Sequence, residues 1–191
     1  MKSLNLKSYF EKGLTDEEYI SFLGENRALH QLHYKKFEIP GEEAKEIKRM
    51  KPLKILVLTE PWCGDSLAIF PVIRKIAEFN GTWTIKVVLR DQNLELMDQF
   101  LTRGGRAVPI FLFLSNGEDD DYSLIFRWGP RPKAVQEIFE THRQHIKNGK
   151  IKKMEVIQKI RNFYARDRGK AILTELLSIL KEKEFDLIDY E

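Results

Sequence analysis

The sequence predicts an α/β fold, a central sheet flanked by helices, with further helices extending it at both ends. Three observations predict it. The run Ile55-Leu56-Val57-Leu58-Thr59 is continuous, apolar and partly β-branched, so it reads as a buried parallel strand. Directly after it, Asp65 to Phe79 carries Leu67, Ile69, Phe70, Ile73, Ile76 and Ala77 at helical spacing. Strand-like and helix-like runs then follow one another to about residue 147. With 191 residues and 42% hydrophobic content, the chain can bury one good core plus a helical appendage.

Residues 1–50 read as a helical extension packed on the core, covering one sheet face or edge. Thr15-Asp16-Glu17-Glu18 has the capping-box pattern that starts a helix, and Tyr19, Ile20, Phe22, Leu23, Leu29 and Leu32 are apolar along the next turns. Residues 51–147 form the main domain. After the first strand and helix comes a second strand, Trp83 to Leu89, and then a polar helical stretch from Asn93 to Leu101. Val108-Pro109 heads a third strand running to Leu114; a proline is tolerated there because it begins the strand. The turn Asn116-Gly117-Glu118 is a hairpin signal leading into a last strand, Tyr122 to Trp128, with Gly117 to Asp121 a loop. Gly129 ends that strand, and Pro132 to Ile146 forms the closing helix.

Residues 148–191 form a C-terminal helical extension. Between Arg143 and Lys170 there are ten Lys or Arg residues, opposed only by Glu155 and Asp167. Such a stripe either meets nucleic acid or an acidic partner or, since it interleaves with Ile151, Met154, Val156, Ile157, Ile160, Phe163 and Tyr164, is the solvated basic face of an amphipathic helix. The next helix, Ala171 to Lys181, carries Ile172, Leu173, Leu176, Leu177, Ile179 and Leu180, enough apolar surface to require a cover. It either folds back on the domain or makes a homodimer through the terminal helices. The tail from Glu182 to Glu191 turns acidic and could pair with the basic stripe.

Cys63 is the only cysteine, and it lies in Glu60-Pro61-Trp62-Cys63-Gly64-Asp65-Ser66 between strand and helix. A cysteine at such a junction sits near a helix N-terminus, where unpaired N–H groups and the macrodipole favour the thiolate. Trp62-Cys63-Gly64 at the start of a helix after a central strand resembles the thioredoxin family, whose active site is Trp-Cys-Gly-x-Cys. Val108-Pro109 at the head of the third strand resembles that family's cis-proline motif. The resemblance covers about residues 50–147 and implies a thioredoxin-like mixed central sheet flanked by helices, with Pro109 lying against Cys63. It also implies that Trp62 is a surface residue beside the thiol, whereas its bare chemistry would equally suit a core aromatic.

The departures from the family pattern narrow the chemistry. Ser66 stands where the family has its second cysteine, and a serine hydroxyl cannot release a substrate from a mixed disulfide. Cys63 is therefore expected to act by monothiol exchange, with an external thiol resolving the adduct. Val57 occupies the place of a buried aspartate associated in the family with proton transfer during resolution. Asp65 replaces the proline between the cysteines, where its carboxylate either raises the thiol pKa or caps the helix. Ser66 itself either hydrogen-bonds the thiolate or fills the helix start.

The expected catalytic residues are Cys63, Ser66 and Pro109, with Trp62, Gly64, Asp65, Arg106 and Val108 around the substrate. Thr102-Arg103-Gly104-Gly105-Arg106 offers two arginines on a glycine-rich turn, which either hold an anionic thiol or lie solvated. His30 and His33, like His142 and His145, are three residues apart but lack the cysteine spacing of a zinc site, so no metal is expected. No cofactor is expected either. The net charge of +3, from 32 basic and 29 acidic residues, gives no reason to expect nucleic acid. No stretch approaches membrane-spanning length, and Met1 to Leu6 begins no long apolar region. One unpaired cysteine and no signal point to a reducing cytoplasm.

Three functions fit these residues. The first is a monothiol oxidoreductase or thiol-disulfide exchange protein in cell redox homeostasis, whose partner is a disulfide-containing protein or a low-molecular-weight thiol and whose Cys63 pKa is depressed. The second is a non-catalytic binding module using the groove around Trp62 and Pro109. The third is a form that traps substrates as mixed disulfides because Ser66 cannot resolve them.

Overall fold

The computed structural model describes residues 5–116 and 121–188, with side chains through residue 183. Five strands among these residues form one mixed sheet: β1 (Leu14–Thr15), β2 (Lys54–Thr59), β3 (Thr84–Leu89), β4 (Ile110–Asn116) and β5 (Tyr122–Trp128). Their order is β1-β3-β2-β4-β5. β2 lies at the centre, parallel to β3 and antiparallel to β4, so its expected parallel pairing holds on one side only. Pairing with β4 is antiparallel because the chain reaches it through the 90–109 segment, which carries no long crossover helix.

Side-chain alternation along β2 explains why its whole run is apolar. Ile55 and Val57 point into a large core with helix α5 (Gly64–Asn80), while Leu56 and Leu58 point into a smaller core on the opposite face. All four are fully buried. α5 crosses the large core with Leu67, Ile69, Phe70, Ile73 and Ile76 inward, and tolerates Pro71 within its length. It stops at Gly81, whose φ of +83° suits a residue without Cβ.

The N-terminal extension is not purely helical. Helix α1 (Leu6–Lys12) packs Leu6 and Phe10 into the smaller core, and β1 then pairs with β3 as an edge strand. The capping box at Thr15 and Glu18 opens helix α2 (Asp16–Ser21) as its sequence predicts. Helices α3 (Arg27–Lys36) and α4 (Gly41–Arg49) lie against α5. Lys75 donates to the Phe37 carbonyl at 2.7 Å and Asn80 to the Ile47 carbonyl at 2.6 Å, so α5 side chains satisfy carbonyls at the ends of both. Phe22, Leu29 and Leu32, expected against the core, are instead exposed.

The helix expected from Asn93 to Leu101 shrinks to α6 (Leu94–Met97). Beyond it the chain turns through Gln99 N–H to Leu96 and Phe100 N–H to Met97, tight bonds that bury Leu96, Met97 and Phe100 together under the sheet. The hairpin turn expected at 116–118 lies largely outside the described residues.

Helices α7 (Lys133–Lys147), α8 (Lys153–Asp167) and α9 (Lys170–Ile188) complete the chain. Ile172, Leu173, Leu176, Leu177 and Leu180 of α9 join the large core, so α9 folds back on this domain. Glu175 of α9 accepts from the Lys133 N–H at 2.6 Å and from the Trp128 indole at 3.2 Å, which fixes α9 to the start of α7. The acidic tail falls mostly on side chains outside the described residues. Among the described residues no helix is long and apolar enough to cross a membrane.

Candidate functional site

Cys63 is the N-cap of α5, reached from β2 through a turn closed by its own N–H to the Glu60 carbonyl at 3.1 Å. Its thiol is 8% exposed and donates to the Val108 carbonyl at 3.3 Å. That contact brings the strand-to-helix junction against the head of β4. The Val108–Pro109 peptide is cis. Behind it, a Cβ on Gly129 would stand 2.4 Å from the Pro109 carbonyl oxygen, so the close approach of β5 to this turn requires glycine.

Burial dominates the thiol's acidity and pushes its pKa up. Against burial work the Ser66 hydroxyl and the N–H groups of Ser66 and Asp65, all of which favour the thiolate, while the Asp65 charge opposes it. The depressed pKa expected from the helix terminus is therefore not found. The terminus does supply its donors, but the thiol is packed in the smaller core with Val88, Met97 and Val108, and desolvation outweighs them.

Ser66 is 1% exposed, and its hydroxyl shares a hydrogen bond with Thr59 at 2.5 Å. Asp65 does not cap the helix. It pairs with Arg131 at 2.8 Å and accepts the Tyr164 phenol at 3.0 Å. Burial first, and the Asp65 charge second, hold that phenol well above its usual range, so it stays a donor. Val57 is fully buried among apolar neighbours of the large core.

Trp62 is 59% exposed, and the Arg90 guanidinium lies 5.0 Å from its ring centre. Arg90 also donates to the Arg106 carbonyl at 3.1 Å, tying the arginine turn to the tryptophan. Arg106 grips Asp98 with two hydrogen bonds, of 2.6 and 2.8 Å, and Arg103 pairs with Glu140. Neither guanidinium of the turn is thus left without a carboxylate. His30 is buried against Phe70, and His142 bonds to the Ile138 carbonyl and to Lys159. Among the described residues no three His, Cys, Asp or Glu side chains gather as a metal site would need.

The structure thus brings Cys63, Ser66, Asp65, Val108 and Pro109 together, sets Trp62 and exposed Gly64 at the rim, and links Arg106 only through Arg90. Sequence reasoning missed Thr59, Arg131 and Tyr164. Tyr164 was legible only as part of an apolar helix face, and nothing local shows that it reaches a carboxylate 99 residues earlier.

The sequence profile of the thioredoxin family matches residues 13–147. The chain belongs to the thioredoxin family. The matched segment starts before residue 51 and takes in β1, α2, α3 and α4. Two solved structures share the fold. A protein of unknown function from Pseudomonas aeruginosa is 16% identical with a TM-score of 0.67, over 94% of this chain and 98% of that one. An HIV epitope-scaffold is 15% identical with a TM-score of 0.70, over 94% and 99%. Likeness over 94% of the chain means that the terminal helices, too, are part of the architecture held in common.

Proposed function

We propose that this thioredoxin-family chain is a single-thiol exchange protein. Cys63 thiolate attacks a disulfide R–S–S–R′, forming Cys63–S–S–R and releasing R′–S⁻. An external thiolate then attacks the mixed disulfide, regenerating Cys63 and leaving as a disulfide with R. The external thiol is oxidised into that disulfide while R′ has left reduced as a thiolate, so no second protein thiol is needed. The observation that carries this reading is the placement of the Cys63 sulfur on the Val108 carbonyl with the Ser66 hydroxyl and two helix N–H groups ready to receive a thiolate. A reducing compartment that supplies small thiols, such as the cytoplasm, suits it.

The 8% exposure of Cys63 and its raised pKa favour a second reading, a binding module that uses the groove around Trp62 and Pro109 without turnover. One experiment separates the two. Reduced protein is mixed with an aromatic disulfide that releases a coloured thiolate, at a pH above the ordinary thiol range. Exchange predicts one mixed disulfide per chain, absent in Cys63→Ser and stable until glutathione is added. If no adduct forms, the exchange reading fails and the binding module stands.

A further inference from the structure

Three of the large apolar side chains that this protein leaves exposed converge on one groove. Leu29 and Leu32 from α3 are 40% and 45% exposed, and with Trp62 they line a cavity of about 520 Å³ beside Gly64. Exposed apolar surface gathered in one place marks an interaction site more often than the same residues scattered singly. Helix α8 contributes Arg161 and Arg168 to the lining, and α3 contributes Lys36. Among the described residues no carboxylate lines this groove, and Lys36, Arg161 and Arg168 make no ion pair. The contrast with Arg103, Arg106 and Arg131 is direct, since each of those has its carboxylate.

Both helices are anchored to the Cys63 segment. Asn26, just before α3, donates to the Pro61 carbonyl at 3.2 Å, and Tyr164 of α8 donates to Asp65. The groove is therefore built by the two terminal extensions and held in register with the thiol, one residue from Trp62 and from Gly64.

We propose that this groove takes an acidic segment of a partner polypeptide whose carboxylates alternate with apolar side chains. The apolar floor of Leu29, Leu32 and Trp62 receives the apolar side chains, and the three free cations meet the carboxylates, which gives charge complementarity and speeds encounter. The proposal deepens the exchange reading, and rests on it for its purpose: such a segment would bring its own disulfide to Cys63. A small anionic thiol needs no such floor.

The test uses full-length protein and a fluorescein-labelled peptide alternating glutamate with leucine, followed by anisotropy. Measurement in the Cys63→Ser background removes any contribution from exchange. Binding is expected there, weakening as salt is raised. It should weaken about tenfold or more in Lys36→Glu/Arg161→Glu, and by a smaller factor in the milder Lys36→Gln/Arg161→Gln. The proposal is overturned if the charge-reversed protein binds as well as the parent, if a lysine-leucine peptide binds equally, if replacing leucine by serine leaves affinity unchanged, or if glutathione displaces the peptide. Adduct formation by the charge-reversed protein with the aromatic disulfide, measured separately, reports on Cys63. Failure of the parent groove to bind the peptide with exchange intact condemns the groove alone, and peptide binding without exchange condemns the thiol reading alone.

Discussion

Tyr164 donates its phenolic hydrogen to the carboxylate of Asp65, a 3.0 Å bond from the C-terminal extension to the residue two after Cys63. Asp65 is thereby held between Arg131 and Tyr164 rather than over its own helix terminus. Tyr164→Phe keeps the ring in the core and removes only this bond. Because the acceptor is charged, the expected loss is about 2 kcal/mol, read as a lowered urea midpoint. An unchanged midpoint would show that Arg131 alone suffices for Asp65.

Ser66 and Asp65 act on the thiol in opposite directions, so their substitutions must shift it oppositely. The Ser66 hydroxyl stabilises the thiolate, and Ser66→Ala should move the pH midpoint of Cys63 alkylation upward. Asp65→Asn removes a charge that destabilises the thiolate and should move it downward. Iodoacetamide reaction rates across pH check both, and shifts of the same sign would refute this account of the site.

Ser66→Cys should create a second thiol near Cys63, since residue 66 follows the Cys63 N-cap within the first turn of α5. The aromatic mixed disulfide on Cys63 is then expected to clear without added glutathione, leaving a disulfide between positions 63 and 66. Mass spectrometry of the oxidised variant detects that bond. An adduct as persistent as the parent's would mean that the two side chains cannot meet.

Gly129 has φ +112° and no room for a Cβ, which would lie 2.4 Å from the Pro109 carbonyl oxygen. Gly129→Ala must push β5 away from the Val108-Pro109 turn or strain both. A loss on the order of 3 kcal/mol is expected, along with a faster-reacting Cys63 as its cover loosens. Chemical denaturation and alkylation at one pH measure the two effects.

His30 is 2% exposed, and neither ring nitrogen has a partner among the described residues. Burial first, and then the Arg74 charge, push its pKa down to about 4. The unfolded chain takes up this proton near the ordinary histidine value, so stability is unaffected above it and falls as pH drops from there toward about 4. His30→Leu should cancel that loss, on the order of 2 kcal/mol between about pH 7 and about pH 4.5. Urea titrations of both proteins at the two pH values decide it. Parallel losses would exclude His30 as the cause.

The order of strands and helices from Ile55 to Ile146 was legible because each element carries its own periodicity: an unbroken apolar run for β2, a helical spacing for α5, a proline at the head of β4. The helix expected at 93–101 failed because its polar residues suit a helix locally, yet Leu96, Met97 and Phe100 had to reach one core together. Cys63, Trp62 and Pro109 were recognisable by residue type in a short motif. Arg131 and Tyr164 were not, since their role is a contact with Asp65 across 66 and 99 residues and no local pattern encodes it.

The sequence by itself determined that there is one thiol, that no second cysteine can resolve its adducts, and that it stands where a strand gives way to a helix. Those are matters of residue identity and local periodicity. Tertiary structure decided the state of that thiol. Packing against the Val108 carbonyl within the smaller core strips it of water, and desolvation then outweighs the helix donors that a local reading counts alone.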